Sequence, residues 1–182
     1  MEDRILAAFL SKQHEEAMSL AAASDLLELA PLAGPAQGPS DRYIAQFRCT
    51  GLAKANQTPR GPVVEANHFA LGIWFPPDYL SRADPFAILS WLDPWTVFHP
   101  NIRAPFVCVG RIAPGTPLVD LLYQVFEIIT YTKVTMREDD ALNKEACAWA
   151  RQHLHRFPVD RRPLKRRALD LEVDTVAQAR PS

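Results

Sequence analysis

An α+β domain is what this sequence predicts: an N-terminal helix, a meander of four antiparallel strands, a loop that carries a cysteine, and helices at the C-terminal end. Three patterns lead there. Over residues 2–22, Leu6, Leu10, Ala17 and Leu20 recur at helical spacing among Arg4, Lys12, Glu15 and Glu16, as in a helix with one buried stripe. Over residues 42–50, Tyr43, Ala45, Phe47 and Cys49 alternate with Arg42, Ile44, Gln46 and Arg48, the period of a half-buried strand. From Leu118 on, Leu121, Leu122, Val125, Phe126 and Ile129 return to helical spacing.

The remaining elements follow in order. Residues 25–32 are short and apolar enough for a first strand, ended by the Gly34-Pro35 and Gly38-Pro39 turns. The phase of the second strand puts Cys49 in the core. Residues 51–65 are polar and bear Pro and Gly, which reads as a long hairpin loop. Residues 68–75 make a third strand, stopped by Pro76-Pro77, with His68 exposed or capped at its entrance. Residues 86–91 make a fourth, entered through Pro85. Pro117 suits the first turn of the helix that starts near Leu118. A last helix follows Asp139-Asp140, with Leu142, Ala146, Trp149, Ala150, His153 and Leu154 as its inward stripe. Cys147 and His153 lie six apart, on different faces, and so form no catalytic dyad.

At 182 residues with 48% apolar content, the chain has material for one core. We place the domain at residues 1–160 and a basic, flexible tail at 161–182, because six bases crowd residues 156–167. A net charge of −1 gives no reason to expect nucleic acid as a partner. No run is long and apolar enough to span a membrane, and the charged start, Met1-Glu2-Asp3-Arg4, is unlike a signal peptide. The three cysteines cannot all pair and have no metal-site spacing, which fits a reducing cytoplasm. No metal is expected.

The chemistry concentrates in residues 95–122. A His99-Pro100-Asn101 turn comes seven residues before Cys108, and a Gly/Pro-rich loop follows. Proline fixes its own φ and pushes His99 toward extended geometry, so the turn is rigid enough to hold the Asn101 side chain over the thiol.

This arrangement resembles the ubiquitin-conjugating enzymes, which carry a His-Pro-Asn turn shortly before the cysteine that bears ubiquitin as a thioester. The likeness is ordered along roughly residues 1–160. Phe75-Pro76-Pro77-Asp78-Tyr79 looks like the family's Phe-Pro-x-Asp-Tyr-Pro turn, with Leu80 at its second proline. Asp139-Asp140-Ala141-Leu142-Asn143-Lys144-Glu145-Ala146 looks like its Asp-x-Leu-Asn-x-Glu-Ala segment. The Asn-to-Cys interval is one residue shorter than usual, Val109-Gly110 replaces Leu-Asp, and Gly115 stands where Trp is common. Such departures point to a divergent branch, as in the ubiquitin-like conjugation systems of bacteria.

The resemblance implies a ubiquitin-conjugating-enzyme-like fold and an acyltransferase. Such an enzyme accepts a ubiquitin-like protein from an adenylating activating enzyme onto Cys108, then passes it to an amine of a protein target, in some cases with a ligase. The activating enzyme's nucleotide supplies the energy, so no cofactor is expected. Cys108, Asn101 and Asp140 are the candidate catalytic residues, supported by His99, Pro100 and Asp139. For Asn101 two roles stand open: stabilising the oxyanion formed when an amine attacks, or hydrogen-bonding the loop backbone. Asp140, with Asp139 as its substitute, matches the family's acid, which positions the attacking lysine and accepts its proton; the plain alternative is capping of the next helix. Arg4 and Lys12 on the first helix, and Tyr79, Leu80, Thr116, Pro117 and Leu118 on two loops, correspond to surfaces that meet the activating enzyme and ligases. Two rival readings remain: a non-catalytic scaffold of the same fold, and a cysteine hydrolase, for which His99 before its stiff proline would be an awkward base.

Overall fold

Helix α1 (Glu2–Ala22) opens the chain and turns Leu10, Gln13, Ala17 and Leu20 into the core. Residues 2–32 and 39–166 are described by the computed structural model; the turn at Gly34-Pro35 and Gly38, and the tail from Arg167 onward, lie outside the described residues. Strands β1 (Leu27–Pro31), β2 (Arg42–Phe47), β3 (Gly51–Lys54), β4 (Val63–Ala66), β5 (Phe69–Trp74) and β6 (Leu89–Asp93) follow. Four of them form one antiparallel sheet in the order β1-β2-β5-β6, the meander of four strands expected from the sequence. Tyr43, Ala45 and Phe47 of β2, Phe69, Leu71 and Ile73 of β5, and Leu89 and Trp91 of β6 form its buried face.

Two sequence expectations are corrected here. The long hairpin loop at 51–65 contains strands, because β3 and β4 pair with each other as a separate two-stranded ribbon. Gly51 begins it where the chain presses against the core. A Cβ there would lie 2.6 Å from the Phe69 ring and 2.9 Å from Ile129, so only glycine fits. The fourth strand starts at Leu89, not Phe86, since residues 85–88 form a one-turn helix, α2 (Pro85–Ile88). Asp84 caps it by accepting from the Phe86 N–H at 3.0 Å, and Pro85 suits its first position.

Helix α3 (Leu118–Ile129) is the central buried helix, with Leu118, Leu121, Leu122, Val125, Phe126, Ile128 and Ile129 all inside. Pro117 takes the capping position rather than the first turn and offers no side-chain acceptor. Gln13 of α1 supplies one instead: its Oε1 accepts from the Leu118 N–H at 2.7 Å, which is why a polar side chain sits in the buried stripe. Helix α4 (Lys144–Gln152) closes the fold. Its Ala146 and Ala150 join Leu52, Phe98 and Tyr131 in a second, smaller core. Leu154, placed on the inward stripe by spacing, is exposed instead, because α4 ends at Gln152 and a 3-10 turn swings the chain outward.

The boundary drawn after residue 160 falls too early. Leu164 is buried in the main core, a burial worth about 1.5–3 kcal/mol for a leucine side chain. Asp160 accepts from the Thr50 N–H at 2.8 Å and from the Arg162 guanidinium at 2.6 Å. Burial pushes its carboxyl up, but these donors outweigh it and hold it at about 2. Arg166 donates to the Ala22 carbonyl at the end of α1 and lies 3.5 Å from Asp25. Among the described residues, no helix is long and apolar enough to cross a membrane.

Candidate active site

The site is built outward from the His99-Pro100-Asn101 turn, all three of whose residues are buried. Phe98 hangs the turn from β3, donating its N–H to the Leu52 carbonyl at 2.8 Å. A tight pair, β7 (Ile102–Arg103) and β8 (Phe106–Val107), then doubles the chain back, while the Trp91 N–H of β6 donates to the Pro105 carbonyl and ties that hairpin to the sheet edge. The result is a reciprocal link. The Cys108 N–H donates to the Asn101 carbonyl at 2.8 Å, and Asn101 Nδ2 donates to the Cys108 carbonyl at 3.0 Å. Asn101 Oδ1 in turn accepts from the Thr135 N–H at 2.9 Å. Bracing the loop is therefore a role that Asn101 visibly performs, and among the described residues one Nδ2 hydrogen is left over.

Cys108 is half-buried between the buried Val107 and Val109, whereas Cys49 and Cys147 are fully buried. Burial first, then the charge of Asp160, pushes the Cys49 thiol up to about 12, so that sulfur stays a protonated core group. Gly110, exposed just past Cys108, has φ +92°, a left-handed conformation that favours glycine. Glycine at 110, after the cysteine, is thus a backbone requirement.

His99 is sealed beneath this loop. Its Nδ1 accepts from the Asn101 N–H at 3.0 Å, so the ring is neutral with its proton on Nε2. Burial lowers its pKa to about 3. Nε2 has no hydrogen-bond partner among the described residues, and the ring packs edge-on against Tyr131, centroids 4.3 Å apart. A histidine so placed shapes the turn and is not a base for the thiol.

The segment after α3 wraps the turn at four points. The Tyr131 hydroxyl donates to the Phe98 carbonyl, Lys133 Nζ donates to the Val109 carbonyl at 2.6 Å, Thr135 holds Asn101, and the Asn143 N–H donates to the Pro100 carbonyl at 3.1 Å. Asp139 and Asp140 lie between the anchors at 135 and 143, with side chains 73% and 60% exposed. Arg137 reaches both, at 2.9 and 3.3 Å. Asp139's own backbone N–H, and then Arg137, hold its carboxyl below the ordinary range. Neither acid caps α4: Asn143 does, its Oδ1 accepting from the Ala146 N–H at 3.0 Å.

The partner-facing assignments divide. Arg4 and Lys12 are exposed on α1, Lys12 paired with Glu16 at 3.7 Å. Leu80, Thr116 and Pro117 are half-buried on adjoining loops. Tyr79 and Leu118 are fully buried, which removes their side chains from any docking surface. Tyr79 instead welds the two loops together, its hydroxyl donating to the Thr116 carbonyl at 2.7 Å. Tyr131, Lys133 and Thr135 are the site residues that sequence reasoning missed. No local pattern marks them, and Thr135 acts through its backbone. Among the described residues no three His, Cys, Asp or Glu side chains gather as a metal would require. No protein-family model matches the chain, and no curated protein matches it in sequence.

Proposed function

We propose that the chain adopts the ubiquitin-conjugating-enzyme fold and accepts a ubiquitin-like protein from an adenylating activating enzyme as a thioester on Cys108. It then transfers that cargo to an amine, typically a lysine, of a protein target. The observation that carries this reading is the reciprocal Asn101–Cys108 link, which fixes the backbone on both sides of a half-buried cysteine. Thioester exchange needs a sulfur that a carbonyl can reach, held still while its bulky cargo turns over. Discharge needs more. An amine must lose a proton, for which the exposed Asp140, or Asp139 beside it, is the acceptor. The developing oxyanion needs a donor, and the free Nδ2 hydrogen of Asn101 is the one the turn offers. A hydrolase would need a base near Cys108, and the buried, neutral His99 is spent on the turn.

The test is a gel with and without reductant after incubation with ATP, an activating enzyme and the ubiquitin-like protein that it charges. A reductant-sensitive adduct is expected, absent in Cys108→Ala and retained in Cys49→Ala and Cys147→Ala. No adduct from a partner pair that charges another acceptor would leave the scaffold reading in its place.

A further inference from the structure

Lys133 is placed as no other lysine of this chain is. Past the end of α3, the Thr132 and Lys133 N–H groups both donate to the Glu127 carbonyl, at 2.8 and 2.9 Å, and Tyr131 adopts a left-handed conformation, φ 60°. This doubling-back throws the Lys133 side chain across to the cysteine loop, where Nζ donates to the Val109 carbonyl at 2.6 Å. A Cβ on Gly110 would stand 4.0 Å from the same nitrogen, so the amine lies against the Val109–Gly110 peptide, one residue past Cys108. Val109 is the residue next to Cys108, so rotation of the four-methylene Lys133 side chain carries its amine along the loop that bears the thiol. Of the other four lysines, Lys54 is ion-paired to Glu145 at 2.6 Å, Lys12 pairs with Glu16 on α1, and Lys144 and Lys165 are exposed.

We propose that Lys133 is an internal acceptor for an acyl group on Cys108. The inference rests on the reading that Cys108 carries a thioester, and it gives that site a means of self-modification. A charged thioester that meets no target passes to Lys133 as an amide and leaves the enzyme out of its cycle. The step balances without an oxidant or reductant. The Lys133 ammonium gives one proton to water, and the free amine adds to the thioester carbonyl. A C–N bond forms, the C–S bond breaks, and the electron pair departs with the Cys108 sulfur. The nitrogen's surplus proton goes to that thiolate or to solvent. Proximity drives it, since a held amine reacts at a high effective concentration.

The test uses the full chain and a small probe, the 2-mercaptoethanesulfonate thioester of N-acetyl-glycylglycine. After incubation at pH 8, hydroxylamine strips thioesters and spares amides, and tandem mass spectrometry locates what remains. The expected result is early acylation of Cys108, followed by a hydroxylamine-resistant acetyl-diglycyl group on Lys133. That product should fall at least about 10-fold in Cys108→Ala and in Lys133→Arg and persist in Lys165→Arg. Acylation of Cys108 with the amide absent, or spread evenly over Lys144 and Lys165, overturns the inference and leaves the thioester reading standing. So does Lys133 labelling that survives in Cys108→Ala, which marks direct attack on the probe. Failure of Cys108 to be acylated at all overturns both.

Discussion

The two halves of the candidate site are built on opposite principles. Around His99, Pro100 and Asn101 the groups are buried and almost every polar atom is committed, to Cys108, Thr135, Asn143 or a neighbour within the turn. Around Asp139 and Asp140 the side chains are exposed, and their recorded side-chain partner is one equally exposed arginine. A buried, fully bonded group is costly to disturb and fixes position. An exposed carboxylate adds little to stability, yet it can move, meet an incoming amine and exchange protons with water. On the proposed function, this contrast would assign position and proton transfer to different residues, and it can be tested by asking which changes harm folding and which harm only turnover.

The largest effect expected from the buried half is its pH dependence. Burial lowers the His99 pKa from 6.5 to about 3, so as pH falls the unfolded chain takes up the proton first. The stability gained by keeping the ring neutral is whole above about pH 6.5 and is lost toward pH 3. The slope is about 1.4 kcal/mol per pH unit, on the order of 4–5 kcal/mol across the full window. Asp160, held at about 2 against an ordinary 3.8, loses its contribution only below that window's middle. Urea melts between pH 6.5 and 4.5 therefore isolate the histidine. His99→Asn should flatten the slope by roughly one proton's worth; an unchanged slope would mean that the ring titrates in the folded protein.

A smaller loss is expected from Asn101→Ala at neutral pH. It strips partners from the Cys108 carbonyl and the Thr135 N–H, both in part-buried bonds. At about 1–3 kcal/mol for each buried group left unsatisfied, the low end applies, giving about 2–3 kcal/mol in a urea melt. Asn101→Asp separates the two bonds: it keeps an acceptor for Thr135 but sets a carboxylate against the Cys108 carbonyl. If Asn101→Ala melts like the parent chain, the turn is not the brace described here.

How far the sequence carries this division can be seen in particular residues. Helix α1, helix α3 and the four sheet strands are legible because each buries one face, and burying one face leaves a period. Strand β3 left none: Gly51, Leu52 and Ala53 are all buried, since the ribbon is squeezed between the main core at Phe69 and the second core at Phe98, so alternation disappears. At α2 the signal was present, because Asp84-Pro85 is a cap followed by a first-turn proline, but the apolar run after it looked like a strand. The His-Pro-Asn turn and Cys108 could be read locally. The wrapping segment could not, because the Thr135 and Asn143 contacts are backbone N–H groups and Lys133 is one lysine among five. Burial of Tyr79 and Leu118 likewise depends on what packs over them, which spacing alone does not give.

The smallest effect on stability, and the sharpest on chemistry, is expected from Asp140→Ala. Its side chain is 60% exposed and, among the described residues, pairs with Arg137 at 3.3 Å. It caps no helix, because Asn143 does that. Its removal should leave the melting midpoint where it was, in contrast to Asn101→Ala. Loading of Cys108 exchanges one thioester for another and asks for no proton acceptor beside an amine, so loading should proceed as well. Discharge onto free lysine should slow, because that amine must lose a proton as it attacks. The sign with pH follows: the free-base fraction of lysine grows toward its ordinary pKa of ~10.4, so the Asp140→Ala defect should shrink between about pH 7 and pH 9–10. Asp139 stands beside it on the same arginine, so the double Asp139→Asn, Asp140→Asn variant should show the larger defect at neutral pH. An Asn101 defect in discharge should not shrink with pH, since an oxyanion needs its donor however the amine was deprotonated. The measurement is single-turnover discharge from the preloaded thioester. A pH-independent defect in Asp140→Ala, or none in either acid variant, would take proton transfer away from this exposed corner while leaving the buried half as it is.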